Sequence, residues 1–301
     1  MDLTSHLLLT FHLNSSVVER ARFCGHWNLD TSGSGHAAFH VLAGGQCWLH
    51  RVDGAGPMLL NAGDVLILPR DAPHVLSDSF DTTGHSTTDI RPLGDGSSEG
   101  TDLICGFFRF DDRVANPLLE ALPDYLIVRS REPGNEAMRR AIDWLVTEAA
   151  ESQPGVNAVL DRLSDAIFIL AIRVYLRSGV QTGLAAALAD PAVNRALQLL
   201  HESPERKWNL KVLSREVAVS RSALMQRFSG AVGESPMAYL TRWRIKLAAR
   251  WLREGMSVAE VAERCGYSSE AGFAKAYKRH AGRGPGAQRR RRDHPRPQRG
   301  T

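Results

Sequence analysis

The chain contains little of what a membrane or secreted protein needs. None of its hydrophobic runs approaches the roughly 20 apolar residues that a membrane-spanning helix requires. The short apolar stretch near the start follows Asp2 and has no Lys or Arg before it, which is a poor pattern for a signal peptide. We therefore expect a cytoplasmic protein that has no membrane partner.

Cysteine is also scarce, and no two of the four cysteines, Cys24, Cys47, Cys105 and Cys265, are spaced as Cys-x-x-Cys. Scattered cysteines of this kind are typical of a reducing compartment, so we expect no structural disulfide. The phosphate-binding pattern G-x-x-x-x-G-K-[ST] is absent as well, so this signature of nucleotide-hydrolysing enzymes is missing.

One sign of charge is under-represented in each part of the chain. Residues 1–192 carry 14 Lys and Arg against 24 Asp and Glu, a net charge of −10, whereas residues 193–301 carry 23 against 9, a net charge of +14. A strongly basic segment attracts polyanions such as nucleic acid, although a solvated basic surface gives the same count. The imbalance therefore needs a motif beside it before it indicates a partner.

The first 130 residues have the pattern of a small β-barrel or sandwich. Short apolar or alternating runs are separated by Gly, Asp and Ser turn signals. The runs are AAFHVL, QCWLHRV, MLLNA, DVLILP, LICGFFRF and YLIVRS. Residues 81–101 are rich in Thr, Ser, Gly and Asp, and we interpret them as a mobile loop.

Helical periodicity replaces strand periodicity after residue 134. Residues 136–150 and 157–178 have apolar side chains at helical spacing, and in the second segment they extend nearly all round the helix. A helix of this kind is buried on more than one side, either against its own barrel or in a dimer interface. Residues 179–192 are predicted to form a linker.

The residues that follow contain a helix-turn-helix pattern. Ser220 can cap a helix in which Leu224 and Phe228 face inward. The side chains that then point outward, as a helix entering a major groove requires, are Arg221, Ser222, Met225 and Gln226.

The same pattern occurs a second time. Ser257 and Ser269 cap the two helices, Gly266 lies in the turn, and Phe273 and Tyr277 face inward. The predicted outward residues are Glu270, Ala271, Gly272, Ala274 and Lys275. Residues 236–253 form one predicted helix of about 27 Å between the two units, which is comparable to the separation of successive major grooves.

Over about ninety residues this segment resembles the AraC/XylS family of bacterial transcription regulators. The residues that carry the resemblance include Leu213, Glu216, Ala218, Ser220, Leu224, Phe228, Gly233, Pro236, Tyr239, Arg244, Ala248, Leu252, Val258, Val261, Ala262, Gly266, Tyr267, Ser269, Phe273, Lys278, Gly282 and Pro285. The resemblance implies double-stranded promoter DNA as partner, a homodimer, contact with RNA polymerase and an activating role.

Matching positions within the family implies which side chains contact DNA. The base-facing positions fall on Ser222, Met225 and Gln226 in the first unit and on Glu270, Ala271, Gly272, Ala274 and Lys275 in the second. Phosphate contacts are expected from Arg221, Arg227 and Lys278. Because Ala271 and Gly272 cannot donate hydrogen bonds to bases, we expect the first unit to dominate sequence readout.

The N-terminal segment is similar to the cupin-type sensor domains of the same family. Gly63, Pro69 and His74 match the spacing of the second cupin motif, and His40 matches the first metal ligand of the first motif. Leu42 occupies the position of the next ligand, and no acidic ligand is evident. A metal site needs three or four ligands, so we expect a structural barrel with no metal, no cofactor and no enzymatic activity.

Two kinds of signal remain open for the sensor domain. Cys24 and Cys105, each followed by Gly, match the positions that the resemblance to regulators of reactive chlorine species points to, and oxidation could join them or form a sulfenic acid. Both could also be small buried strand residues. The alternative signal is a small organic ligand inside the barrel, with Trp27, Phe39, Trp48 and His74 as candidate lining.

The expected fold class is α+β with several domains. A cupin-like sensor and dimerisation domain covers residues 1–178, with the barrel at 1–130 and a helical hairpin at 136–178. The linker at 179–192 leads to an all-α double helix-turn-helix domain at 193–286, and a basic tail at 287–301 is predicted to be disordered. That tail would also suit a non-specific DNA-binding protein, which is the competing function.

Overall fold

The computed structural model describes residues 13–82, 87–93, 99–110, 119, 122–151, 153–178, 186–188 and 190–290. These residues belong to two units, Leu8–Gly179 and Val180–Thr301, whose internal contacts separate them. None of the helices in the described ranges is both long enough and apolar enough to cross a membrane.

Strands dominate the first unit because its apolar residues alternate or cluster in runs of four to eight. They are β1 (Asn14–Cys24), β2 (Asn28–Leu29), β3 (Ala37–Gly44), β4 (Gln46–Arg51), β5 (Met58–Asn61), β6 (Asp64–Leu68), β7 (His74–Ser77), β8 (Asp89–Pro92), β9 (Thr101–Arg109) and β10 (Leu126–Arg129). The six runs predicted from the sequence correspond to β3, β4, β5, β6, β9 and β10.

Two sheets face each other across the core of this unit. Among the described residues, one sheet has the order β10-β6-β3-β9-β1-β8 and the other the order β2-β7-β4-β5. The core between them includes Phe23, Leu42, Leu49 and Leu76 from both sheets, and Trp27 from the connection between β1 and β2. This arrangement agrees with the predicted cupin-like fold.

Helices α1 (Glu136–Ala150) and α2 (Val156–Arg177) lie close to the residues predicted for the helical hairpin. Helix α2 packs on β1, where the Ser15 amide donates to Asp165 at 2.7 Å and the Val17 amide donates to Asp161 at 3.0 Å. Phe168 of α2 lies 4.5 Å, between ring centroids, from Phe108 of β9. The wide apolar stripe of α2 is therefore used at least partly against the unit's own sheet.

The structure corrects the prediction that residues 81–101 form a mobile loop. Residues 89–92 form β8, which pairs antiparallel with the end of β1. Local patterns do not predict this strand, because all four of its residues are exposed and lack an apolar face. Residues 83–86 and 94–98 of the same segment lie outside the described residues.

The second unit is built from helices. They are α3 (Pro191–Glu202), α4 (Leu210–Glu216), α5 (Arg221–Val232), α6 (Pro236–Glu254), α7 (Val258–Arg264), α8 (Glu270–Ala281) and α9 (Pro285–Arg290). Helix α9 corrects part of the predicted disordered tail, because residues 287–290 are helical. Residues 291–301 lie outside the described part of the chain.

Candidate nucleic-acid interface and interior polar cluster

The second unit contains two helix-turn-helix motifs. Helix α5 is in the recognition position of the first motif, and helix α8 is in that of the second. Ser220 caps α5 by accepting a hydrogen bond from the amide of Ala223 at 3.1 Å. Leu224 and Phe228 are completely buried, so the opposite face of α5 is open to solvent. That face presents Arg221, Ser222 and Gln226 as exposed side chains and Met225 as a half-buried one.

Helix α8 repeats this construction. Ser269 caps it by accepting from the amide of Gly272 at 3.2 Å, and Phe273 and Tyr277 are buried. The predicted base-facing residues Glu270, Ala271, Gly272 and Lys275 are exposed, and Ala274 is half-buried. Lys278, the predicted phosphate contact, is exposed one turn further along. Both recognition surfaces are therefore accessible, while their contacts with DNA stay predictions.

Helix α6 joins the two helix-turn-helix motifs as one unbroken helix of 19 residues, or about 28 Å. From α6, Arg244 donates to the carbonyl oxygens of Pro204 at 2.7 Å and Arg206 at 2.9 Å. Gly266, in the second turn, has φ of +71°, and a Cβ there would lie 2.3 Å from the carbonyl oxygen of Glu205. The second helix-turn-helix is thus fixed against the segment that follows α3.

Arg227 of α5 makes an ion pair that the sequence did not reveal. Its guanidinium donates to both carboxylate oxygens of Asp190, at 2.6 and 2.9 Å. Asp190 also caps α3 by accepting from the amides of Ala192 and Val193. A phosphate contact by Arg227 stays a prediction, and phosphate would have to compete with Asp190.

The interior of the first unit contains a polar cluster among apolar side chains. His40 of β3 lies opposite Cys105 of β9, and its Nδ1 is 3.0 Å from the Cys105 Sγ. Across the sandwich, the Nε2 atoms of His40 and His74 are 3.1 Å apart. The Thr31 hydroxyl oxygen is 3.1 Å from the Nε2 of His40 and 3.0 Å from that of His74.

The hydrogen-bond partners define how this cluster is protonated. The Nδ1 of His74 faces the Ala72 carbonyl oxygen at 2.9 Å, so it carries the proton and Nε2 accepts. His40 therefore donates from Nε2 to His74 and accepts the Cys105 S–H at Nδ1. Burial, together with His74, lowers the pKa of His40 to about 3, and burial raises the pKa of the Cys105 thiol. Neutral imidazoles and a neutral thiol are the stable forms.

The cluster does not fit a resident metal ion. Within the described ranges no three His, Cys, Asp or Glu side chains come together as ligands. The third donor near His40 and His74 is the Thr31 hydroxyl, which is neutral and a weak ligand. Leu42, at the position that matches the next ligand of the first cupin motif, is a buried apolar side chain and cannot bind a metal.

The two candidate redox cysteines are separated in the sheet. Glu19 of β1 lies opposite Cys105, and Cys24 follows Glu19 by five residues. At about 3.4 Å per residue, the two cysteine Cα atoms are roughly 17 Å apart, and the side chains lie on opposite faces of the sheet. A disulfide needs Cα atoms within about 7 Å, so these cysteines cannot be joined in this conformation.

The surroundings of the two thiols also differ. Cys24 is half-buried, whereas the other three cysteines are buried. Its Sγ lies 3.5 Å from the carbonyl oxygen of Glu99, and it fills the space where a Cβ on Gly100 would be. The Cys24 Sγ therefore lies against the backbone of residues 99–100, just before β9 begins at Thr101.

The predicted lining of the barrel is only partly correct. Trp27 and His74 face the interior. Phe39 instead stacks on Phe108 at 4.7 Å on the helix side of the sheet, and half-buried Trp48 contacts the exposed Phe80 on the outer side of its sheet. Strand alternation explains both errors, since neighbouring residues point to opposite faces.

A cupin-type sandwich joined to a double helix-turn-helix unit defines a class of two-domain DNA-binding regulators. Comparison with known proteins agrees with this class. A cupin family model matches residues 2–177, and a helix-turn-helix domain model matches residues 213–291. A putative AraC-like transcription regulator of Streptomyces lividans is 33% identical over 96% of this chain and 97% of its own length.

Other relatives extend the comparison. The RCS-specific HTH-type transcriptional activator RclR of Escherichia coli is 28% identical, with 97% of this chain and 98% of that protein covered. The DNA-binding domain of AdpA, crystallised with a target DNA, is 30% identical over 36% of this chain and 98% of that chain, with a TM-score of 0.33. The chain belongs to the AraC family of transcription regulators.

Proposed function

We propose that this protein is a sequence-specific transcription activator that binds promoter DNA as a homodimer, contacts RNA polymerase and acts in the cytoplasm. The exposed polar faces of α5 and α8 at either end of one continuous helix carry the DNA-binding part of the proposal. A protein that binds DNA without regard to sequence needs a basic surface, but it does not need two capped recognition helices on a rigid helix.

The first helix-turn-helix motif, which contains α5, dominates readout of the base sequence in this proposal. Gln226 is exposed on α5, and its amide can donate to and accept from one adenine. Met225 offers only an apolar contact, for example to a thymine methyl group. In α8, Ala271 and Gly272 have no side-chain donor. The second helix-turn-helix motif therefore contributes to the affinity and to the positioning of the protein on DNA more than to base discrimination.

The signal we propose for the N-terminal unit is an oxidant of the reactive chlorine type, and Cys24 is the first residue to react. Its half-buried thiol is the most accessible of the four, and the activator name of the Escherichia coli relative supports this class of signal. Sulfenic acid formation at Cys24 would displace residues 99–100 and so disturb the pairing of β1 with β9. Cys105, whose Sγ lies beside His40 in the interior, is the second candidate thiol.

Genome-wide mapping of bound sites, with and without hypochlorous acid, tests the regulator and the signal together. We expect discrete promoter sites and oxidant-dependent reporter output that is lost in Cys24→Ser. Cys265→Ser, which changes a buried thiol of the other unit, should respond as the wild type does. If Cys24→Ser responded to the oxidant as the wild type does, the proposal of oxidant sensing through Cys24 would be refuted. Uniform occupancy of genomic DNA would refute sequence-specific binding.

A further inference from the structure

The second helix-turn-helix motif has its own apolar core on helix α6. In the first half of α6, the Tyr239 ring lies 5.8 Å from the Phe228 ring of α5, and the Trp243 ring stacks on His201 of α3 at 4.0 Å between ring centroids. The second half of α6 packs on the second motif through Ile245, Ala248 and Leu252. In the described part of the chain, this second cluster contains no side chain from α3, α4 or α5. It therefore attaches the second motif to α6 and not to the first motif.

Arg244, near the middle of α6, contacts both sides. Its Nε donates to the carbonyl oxygen of Pro204 at 2.7 Å, and its Nη2 donates to that of Arg206 at 2.9 Å. Both acceptors lie in the segment that joins α3 to α4 and so leads into the first motif. On the other side, the guanidinium carbon of Arg244 lies 5.8 Å from the centre of the Tyr267 ring, in the turn of the second motif. Arg244 thus bridges the two motifs.

Both ends of this bridge are fixed to their own motif. Arg206 forms an ion pair with Glu216 of α4, at 2.6 Å. Tyr267 packs edge to face on Phe273 of α8, with the ring centroids 5.5 Å apart. A rotation of one motif relative to the other therefore has to break the hydrogen bonds of Arg244 or its contact with Tyr267.

The glycine in the second turn makes room for the bridge. A Cβ on Gly266 would lie 2.8 Å from the Arg244 Nη2 and 2.3 Å from the carbonyl oxygen of Glu205. Burial lowers the pKa of Arg244, but a guanidinium stays protonated at neutral pH. Its two hydrogen bonds are therefore charge-assisted, which is the stronger kind.

We propose that Arg244 is a positioning residue that fixes the rotation of α8 relative to α5, and so sets which two segments of a duplex the protein contacts at once. This inference rests on the proposed DNA-binding function. About 10 base pairs make one turn of about 34 Å, so moving a contact by one base pair turns it by about 36° around the duplex and shifts it by about 3.4 Å. Helix α6 holds the two recognition helices apart, and the bridge adds a second point of attachment that resists this rotation.

Hydroxyl-radical footprinting of the full-length protein, on a site selected from random DNA, tests this role. The wild type should give two protected patches at one separation, one for each recognition helix. Arg244→Gln should leave the first patch in place, weaken protection of the second patch at least about threefold and spread it to neighbouring base pairs. Arg244→Lys keeps the charge but lacks the planar fork that reaches both carbonyl oxygens, so its pattern should be intermediate.

Two matched variants separate positioning from other effects. Arg242→Gln changes an arginine of the same helix that pairs with Glu234, at the entry to α6, and it should keep both patches as in the wild type. Lys278→Gln removes a proposed phosphate contact from α8, so it should weaken the second patch without spreading it.

The outcomes are distinct. A second patch that is as strong and as sharp in both Arg244 variants as in the wild type would overturn the positioning role. Loss of both patches in both variants would overturn it as well, because Arg244 would then stabilise the whole unit. If the wild type gave no discrete patches on any selected site, the proposed sequence-specific binding would fail, and this role would fail with it.

Discussion

Arg227 on the first recognition helix is held by Asp190, the residue that caps the first helix of the same unit. The two hydrogen bonds measure 2.6 and 2.9 Å, and the carboxylate accepts two backbone amides in addition. Hydrogen bonds and the Arg227 charge hold the Asp190 pKa below its ordinary value, although burial acts in the opposite direction. One carboxylate thus orders the start of α3 and neutralises a cation beside the proposed base-reading face.

The first prediction separates these two roles of Asp190. Asp190→Ser keeps a capping oxygen but loses the ion pair, so Arg227 becomes free to contact phosphate. We expect tighter DNA binding at low salt and a salt dependence that is steeper by about 0.9 in log K against log salt concentration. Fluorescence anisotropy over a salt series measures this slope. The double variant with Arg227→Gln should return to the wild-type slope, and an unchanged slope in Asp190→Ser would contradict the prediction.

The second prediction concerns base readout. Gln226→Ala should relax the preference at one base pair and cost about 1–3 kcal/mol on the preferred site, because the paired hydrogen bonds to adenine are lost. Binding-site selection followed by sequencing measures the effect. Gln198→Ala, which changes a half-buried glutamine of α3 whose amide donates to Glu202, is the control and should leave the selected motif intact. If Gln226→Ala selected the wild-type motif, Gln226 would not read a base.

The third prediction uses two glycines with almost the same backbone conformation. Gly266 and Gly282 have φ of +71° and +72°, but a Cβ has no neighbour within 4 Å at Gly282 and meets the Glu205 carbonyl oxygen at Gly266. Gly282→Ala should cost about 1 kcal/mol for the positive φ alone. Gly266→Ala should cost about 2–4 kcal/mol because overpacking is added.

Hydrogen–deuterium exchange of the full-length protein measures this difference locally. Gly266→Ala should increase exchange in α7 and α8 and leave the sheets of the other unit unchanged. Equal exchange in the two variants would mean that the close approach to Glu205 carries no energetic weight.

The fourth prediction follows from the buried histidines. The pKa of His40 in the folded protein is about 3 against an ordinary 6.5, so the unfolded chain takes up the proton first as the pH falls. His40 therefore contributes stability above pH 6.5 that is lost progressively between about pH 6.5 and pH 3. Between pH 7 and pH 5 the loss amounts to about 2 kcal/mol, and burial of His74 acts in the same direction.

Urea unfolding of the N-terminal unit, monitored by hydrogen exchange in β3 and β9, measures this pH dependence of the stability. His40→Gln should flatten the curve between pH 7 and pH 5, whatever its effect on stability at pH 7. His26→Gln changes a histidine whose side chain is 75% exposed and should keep the wild-type curve. A curve that is as steep in His40→Gln as in the wild type is incompatible with the buried neutral imidazole.

Local sequence patterns were sufficient for most of the helical unit. Ser220, Ser257 and Ser269 cap helices as predicted, because a capping hydroxyl acts on amides only two or three residues away. The inward positions of Leu224 and Phe273 follow from helical periodicity, which is also local. The basic and acidic parts of the chain were equally visible in composition.

The same local patterns do not predict which residues pair when they are far apart in the chain. Neither the ion pair between Arg227 and Asp190, 37 residues apart, nor the contact of His40 with Cys105, 65 residues apart, has a sequence signal. Strand β8 is stabilised by its pairing with β1 and has no apolar face of its own. Such contacts depend on which strands and helices become neighbours.

By itself, the sequence determined the family, the two recognition helices and the approximate strand and helix order, since these depend on short-range spacing. Only the tertiary structure decided that Cys24 and Cys105 lie on opposite faces of a sheet and that His40, His74 and Thr31 meet in the interior. The physical reason is that register and packing convert distances along the chain into distances in space, and no local pattern encodes that conversion.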